Sequence, residues 1–149
     1  MRRDSKNVRL LVGTVADPTK PDRPIVGITV DQAAAIALPI DVDIDIGRVG
    51  GPSAGLPFAL EIARMLGRDV TRGCDVAATG ELALDGSVLP VGGLKQKTIG
   101  ARRAGVDLFL VPAGRNAEEA RKHADGLRIV PVESFQQALQ HLATTGVKC

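Results

Sequence analysis

The chain has 149 residues, a formal net charge of +2 and a hydrophobic fraction of 44%, with three Phe but no Trp or Tyr. This length suits one domain that buries a core of its own, and the core must be aliphatic. The small charge and the missing stacking aromatics argue against a nucleic-acid surface. The two cysteines lack metal-ligand spacing, and no apolar run approaches the ~20 residues that span a bilayer.

The amino-terminal part predicts three strands. The first covers residues 8–15 and is closed by the turn-rich sequence ADPTKPDRP, and the second covers residues 25–30. The third, IDVDIDI at residues 40–46, alternates strictly and so places Asp41, Asp43 and Asp45 on one face. Clustered carboxylates can bind hard cations, but alternation favours a solvent-facing side over a metal site.

The remainder of the chain predicts alternating helices and strands. A helix over residues 51–66 has Pro52 at its first position and Gly67 as its stop. A hairpin turns at Asp85-Gly86 in ELALDGSVLP. The later elements are a helix at 94–104, a strand DLFLVP, a helix with Asn116 as N-cap, a strand LRIVPV, and a helix with Ser134 as N-cap. This alternation predicts the α/β class.

Composition along the chain predicts two parts. Residues 1–35 differ in their residue pattern from the rest of the chain and are expected to be an amino-terminal segment, the tail of another domain. Residues 36–149 are expected to form the main domain.

Ser53 lies in the sequence GGPSAG, in the first turn of a predicted helix. Three interpretations compete: a phosphate cradle, a tight packing turn, or a nucleophile at a helix N-terminus. Free backbone N–H groups and the helix dipole could hold a phosphate or the oxyanion of acyl transfer. Pro57 has no N–H for the Ser53 carbonyl, so the first turn is expected to be loosened or bent.

A serine nucleophile requires a base, and two residue types could supply it. His123 and His141 lie on predicted helices that look amphipathic and exposed. On a helical wheel Lys97 shares a side with Leu94, Thr98, Ala101, Ala104 and Gly105, whereas Lys95 lies with arginines. Lys97 is then either a base whose pKa is lowered by burial or a lysine that extends its ammonium to water.

Two motifs, GGPSAG and ATGELALDGSVLPVGGLKQK, together resemble the proteolytic domain of the Lon protease family. The resemblance implies an α/β Lon-type domain with mixed sheets and flanking helices. It also implies a serine endopeptidase with a Ser-Lys dyad, in which Ser53 is the nucleophile and Lys97 the general base. By the same resemblance Thr79 hydrogen-bonds the lysine, amides around Gly51 and Ala54 bind the oxyanion, and no metal or cofactor takes part.

The stretch GGPSAGLPFALEI looks most like the Lon-like branch in which a PDZ domain precedes the protease. Gly50 stands where many Lon enzymes have a polar residue, and no Walker loop is found. The resemblance therefore implies ATP-independent hydrolysis of unfolded or flexible polypeptides. For a longer parent it implies a PDZ domain, a membrane anchor with the protease outside the cytoplasm (otherwise a cytoplasmic protein), and a homo-oligomeric ring, such as a hexamer.

Two other functions stay open at this point. One is a catalytically latent, protease-like binding module. The other is a relative of small-molecule kinases, some of which bind phosphate with a Gly-rich loop at a helix N-terminus, although no Mg²⁺-ligand pattern is evident. Glu81 in ATGE is expected to be structural, and one of the three aspartates could bias protonation of the dyad.

Overall fold

The computed structural model describes residues 2–3, 6–7, 9, 11–26, 41–45 and 51–144. The chain divides into two compact units, Met1–Ile44 and Asp45–Cys149.

The first unit contains two short antiparallel strand pairs. Strand β1 (Arg2–Arg3) pairs with β2 (Lys6–Asn7), and β3 (Val15–Ala16) pairs with β4 (Pro24–Ile25). The predicted strand over residues 8–15 is wrong for most of its described length, because only its last residue is in a strand. The predicted strand over 25–30 is β4 at its first residue, and its last four residues lie outside the described part.

The aspartate-rich segment is not a strand where it is described. Residues 41–45 are irregular and all exposed, so the predicted strand is wrong there. Its apolar positions explain the error, since Val42 and Ile44 keep 38% and 41% of their surface exposed. An alternating pattern specifies a strand when the apolar side chains on one face are buried, and the apolar side chains of residues 41–45 are not buried.

The second unit is built from helices and strands in alternation. It opens with a 3₁₀ turn (Pro52–Ala54) that continues into helix α1 (Gly55–Met65). The other helices are α2 (Leu94–Arg103), α3 (Arg115–Lys122) and α4 (Phe135–Thr144). The strands are β5 (Val76–Ala78), β6 (Glu81–Leu82), β7 (Val88–Leu89), β8 (Leu108–Pro112) and β9 (Arg128–Val132).

Three parallel strands in the order β5-β8-β9 form the central sheet, and β6 and β7 form a separate antiparallel hairpin. All five residues of β8 are buried, as a central parallel strand covered on both faces requires. Leu108 and Leu110 pack with residues of α1 and α4, whereas Phe109 and Val111 pack with residues of α2 and α3. The unit is therefore a helix–sheet–helix sandwich, and the predicted α/β class is confirmed.

Most predicted elements of this unit are confirmed. The hairpin turns at Asp85-Gly86, and Ser134 Oγ accepts the Gln137 N–H (3.1 Å), as an N-cap does. The predicted cap at Asn116 is wrong. Gly114 occupies the N-cap position of α3, and the buried Asn116 side chain bonds elsewhere.

Candidate active site

Ser53 lies just before α1, in a backbone conformation that depends on the glycine and the proline that precede it. Gly51 precedes the 3₁₀ turn with a φ of 97°, a backbone conformation that residues other than glycine rarely adopt. Pro52 then occupies the first position of the turn, where a missing N–H costs nothing. The half-buried Ser53 side chain thus lies at the amino-terminal end of a helix, as the sequence predicts.

The carbonyl of Ser53 is bonded outside its own helix. Pro57 cannot donate to it, and it instead accepts the Gly80 N–H at 3.0 Å and the Thr79 hydroxyl at 3.2 Å. Leu56 N–H in turn donates to the Gly80 carbonyl at 3.0 Å. Pro57 therefore leaves an acceptor that ties the Ser53 turn to the loop after β5.

Gly55 allows this close approach between the helix and the loop. A Cβ placed on Gly55 would lie 2.8 Å from the backbone nitrogen of Leu82, a distance that real Cβ atoms essentially never show. The packing of the helix against this loop therefore requires a glycine at the last position of GGPSAG.

Lys97 reaches the same loop from the other side. Helix α2 begins after Gly93 (φ 76°), and the Lys97 N–H makes an early helical bond to the Gly93 carbonyl at 3.0 Å. The Lys97 side chain is half-buried, and its Nζ donates to Thr79 Oγ1 at 3.1 Å. Burial lowers the pKa of Lys97 below its ordinary value, because desolvation disfavours the ammonium form.

Thr79 connects the two predicted catalytic residues. Only 4% of its surface is exposed, and its hydroxyl accepts from Lys97 while donating its own hydrogen to the Ser53 carbonyl. Ser53, Thr79 and Lys97 also line one cavity of about 410 Å³. The other side chains that line it are apolar, and among the described lining residues Lys97 alone carries an ionisable side chain. A cavity with a largely apolar lining that holds a hydroxyl and a partly desolvated amine can support proton transfer.

The chain matches the family model of the Lon protease (S16) C-terminal proteolytic domain over residues 25–145. It belongs to this Lon family. Lon protease 1 of Myxococcus xanthus is 43% identical over 96 residues, covering 60% of this chain and 11% of the relative. Lon protease 2 of Syntrophobacter fumaroxidans is 51% identical over 63 residues, which are 42% of this chain and 8% of the relative. The chain thus spans about a tenth of the length of the curated relatives it matches.

The two lysines of the Lon domain's second motif lie in different surroundings. Lys95 is exposed and does not line the cavity, in contrast to Lys97. The predicted buried side of the helix is correct for Leu94, Thr98 and Ala101, which are all buried. It is wrong for Ala104 and Gly105, which are exposed, although Ala104 still contributes to the cavity wall.

The other candidate residues do not join this cavity. His123 is the C-cap residue that follows α3, and His141 lies on α4. Both are half-buried rather than exposed, and neither lines the cavity. Half-buried Glu81 begins β6 and is likewise not part of the lining.

Within the described residues no three His, Cys, Asp or Glu side chains lie close enough together to hold a metal ion. Of the helices that the structure describes, none combines the length and apolar character that crossing a bilayer requires.

Asn116 and Gly80 contribute contacts that sequence reasoning missed. Gly80 supplies both the N–H for Ser53 and the carbonyl for Leu56, and its place after Thr79 in the ATGE motif was the available signal. Asn116 is buried and bonds the backbone of Val91, in the loop before α2. A side-chain amide that bonds a backbone distant in sequence leaves no local pattern by which to find it.

Proposed function

We propose that the domain is a serine endopeptidase that hydrolyses unfolded or flexible polypeptides with Ser53 as nucleophile and Lys97 as general base, without ATP. Membership of the Lon proteolytic-domain family supports the reaction class. The observation that carries the residue assignment is the shared cavity, in which Thr79 bonds both Lys97 Nζ and the Ser53 carbonyl.

In the proposed first step, neutral Lys97 takes the hydroxyl proton of Ser53. Ser53 Oγ forms a bond to the peptide carbonyl carbon, and one electron pair of the C=O bond moves to oxygen. The backbone N–H groups around Gly51 and Ala54, at the start of the helix, are the proposed donors to this oxyanion. When the tetrahedral intermediate collapses, the C–N bond breaks and the Lys97 ammonium returns its proton to the leaving amine.

Water then completes the reaction at the acyl-serine. Lys97, neutral again, accepts a proton from water while the hydroxide oxygen attacks the acyl carbon, and Ser53 regains its proton as the acid is released. Every proton is carried by one amine, so its pKa must lie near the working pH. The lowered pKa of Lys97, caused by burial, supports this role.

The ATP-independent part of the proposal rests on the resemblance to the PDZ-associated branch and on the chemistry. Hydrolysis of a peptide bond is downhill, so the bond-breaking steps above consume no nucleotide. On the same proposal the longer parent carries a PDZ domain and a membrane anchor, and the domain assembles into a homo-oligomeric ring. Light scattering of the purified protein measures that assembly directly.

Hydrolysis of an unfolded protein substrate with and without ATP and Mg²⁺ tests the function. We expect cleavage in both conditions and none in Ser53→Ala, whose thermal melting should match that of the unmodified chain. Cleavage that persists in a homogeneous Ser53→Ala preparation contradicts the assignment of Ser53. Cleavage only with ATP contradicts the nucleotide independence alone.

One contact favours a second function, a latent protease-like binding module. Among the hydrogen bonds of the described residues, Lys97 Nζ donates to Thr79, and none joins it to Ser53 Oγ. A fluorophosphonate probe that reacts with activated serines separates the two functions. An active site labels at Ser53, whereas a latent one does not react until the lysine shifts.

A further inference from the structure

Asn116 makes a two-point contact that its place in α3 does not require. It is 8% exposed, and its Oδ1 accepts the Val91 N–H at 2.8 Å while its Nδ2 donates to the Val91 carbonyl at 2.9 Å. The Asn116 side chain therefore bonds both the backbone N–H and the backbone carbonyl of Val91, as a paired β-strand would. Since α3 is capped at Gly114, this amide does not serve its own helix.

The loop that Asn116 holds leads directly into the helix of Lys97. Gly92 and Gly93 follow Val91 and are exposed, and glycine gives this backbone more conformational freedom than other residues would. Helix α2 begins at Leu94 with no side-chain cap of its own. The buried side chain of Leu94 holds this turn on its core side, so the backbone contact made by Asn116 adds to that packing in fixing the first turn of α2.

Helix α3 makes a second contact on the far side of the same loop. Glu119, one turn after Asn116, accepts the Lys95 N–H through Oε1 at 3.3 Å. This N–H belongs to the first turn of α2, where no intrahelical acceptor is available. Two residues of one helix thus hold the backbone before and after the start of α2.

We infer that Asn116 is a positioning residue for Lys97: through Val91 it fixes the first turn of α2 and with it the reach of the lysine amine. The inference rests on the proposed function of Lys97. Its reason is geometric, since a base acts only within hydrogen-bond reach of the proton it takes. A misplacement of about 1 Å can lower a rate about 100-fold.

Few other ionisable groups lie near Lys97 to affect its titration. Within the described part of the chain, the cavity wall around it has no Asp, Glu, His or Arg and no second lysine. Helix α3 presents Glu119 to the start of α2, and Lys95 on α2 itself is exposed. A change in the Lys97 pKa on mutation of uncharged Asn116 therefore reports a change in the position or hydration of the amine.

The test compares Asn116→Ala with Val130→Ala, which removes buried surface on the opposite face of the sheet and leaves the loop untouched. We expect Asn116→Ala to lower kcat for peptide hydrolysis by about 10- to 100-fold with KM within twofold. The ascending limb of kcat/KM against pH should move to higher pH, because a released lysine is better hydrated. Val130→Ala, assayed where it is folded, should change neither the limb nor kcat to this extent.

A second readout does not depend on activity. In protein labelled with ¹³C at lysine Cε, the Lys97 signal is assigned by its loss in Lys97→Met, and its pKa should rise in Asn116→Ala but not in Val130→Ala. An unchanged Lys97 titration overturns the inference, even if the unmodified protein proves inactive. Absence of hydrolysis in the unmodified protein contradicts the proposed function instead.

Glu119→Ala provides a variant in case Asn116→Ala does not fold. If the substitution only removed a negative charge, it would favour neutral Lys97. The ascending limb of kcat/KM would then move to lower pH, and kcat would not fall. Release of the helix start predicts the contrary, a lower kcat with KM within twofold. A retained kcat in Glu119→Ala would count against the inference.

Discussion

Thr79→Val tests whether the hydroxyl between Lys97 and Ser53 supports catalysis or only the fold. Valine has nearly the shape of threonine, so the substitution leaves no cavity at this 4% exposed position. It removes two hydrogen bonds, of 3.1 Å from Lys97 and 3.2 Å to the Ser53 carbonyl. Each is worth about 0.5–1.5 kcal/mol, and the Gly80 N–H still satisfies the Ser53 carbonyl.

The expected loss of stability is therefore small, about 1–2 kcal/mol at most, once the buried methyl group is set against the lost bonds. The expected loss of kcat is larger, about 10- to 100-fold, because Lys97 loses the contact that orients its amine. The pH limb of kcat/KM should move to lower pH, since a hydroxyl acceptor stabilises the ammonium form.

Thr98→Val is the matched control for this experiment. Thr98 is also buried, and its hydroxyl also bonds a backbone carbonyl, that of Leu94 at 2.7 Å. Peptide hydrolysis across pH and urea unfolding are measured for both variants. If Thr79→Val loses no more activity than Thr98→Val at matched stability, Thr79 has no part in catalysis and the reasoning is refuted.

Four further outcomes follow from the same site. Peptide hydrolysis should fall by ~10³-fold or more in Lys97→Met and hardly change in Lys95→Met; the reverse result would place the wrong lysine in the site. In urea unfolding, Lys97→Met should be more stable than the unmodified chain at neutral pH, and a constant difference across pH would contradict the burial argument. The sign follows from the lowered pKa of Lys97 in the folded state. Below ~10.4 the lysine of the unfolded chain binds a proton more readily than that of the folded chain, which favours unfolding, and this destabilisation of the unmodified chain fades as pH rises toward ~10.4. The rate kcat/KM should rise through an apparent pKa well below ~10.4 and persist in His123→Ala and His141→Ala, whereas loss of activity in either folded variant favours a histidine base. Gly55→Ala should destabilise the domain by about 1–3 kcal/mol in thermal or urea unfolding, because its Cβ meets the backbone of β6, and an unchanged stability would show that this contact yields.

The sequence predicted the second unit well because its signals are local. Helix α2, strand β8 and the cap at Ser134 each depend on periodicity or on a few adjacent residues. The strand order β5-β8-β9 was not predicted, since it depends on pairing between segments far apart in the chain. The strand predicted at residues 40–46 was wrong where described, because alternation alone does not supply a partner strand or a buried face.

For the candidate site, the motifs predict which residues take part but not the contacts between them. The wheel placed Lys97 apart from Lys95 correctly, and the family resemblance pointed to Thr79. What the sequence could not supply was the route by which Pro57 frees the Ser53 carbonyl for Thr79 and Gly80. Asn116 was misread as a cap because its true partner lies 25 positions earlier in the chain.

The central claim is that Lys97 activates Ser53, and the rate of covalent labelling at Ser53 tests it most directly. A fluorophosphonate probe is added to the unmodified chain, Lys97→Met and Lys95→Met, and the adduct is located by mass spectrometry. The account predicts an adduct at Ser53 that forms at similar rates in the unmodified chain and Lys95→Met, and about 10³-fold more slowly in Lys97→Met. Labelling at a different serine, or an equal rate in Lys97→Met, would contradict it.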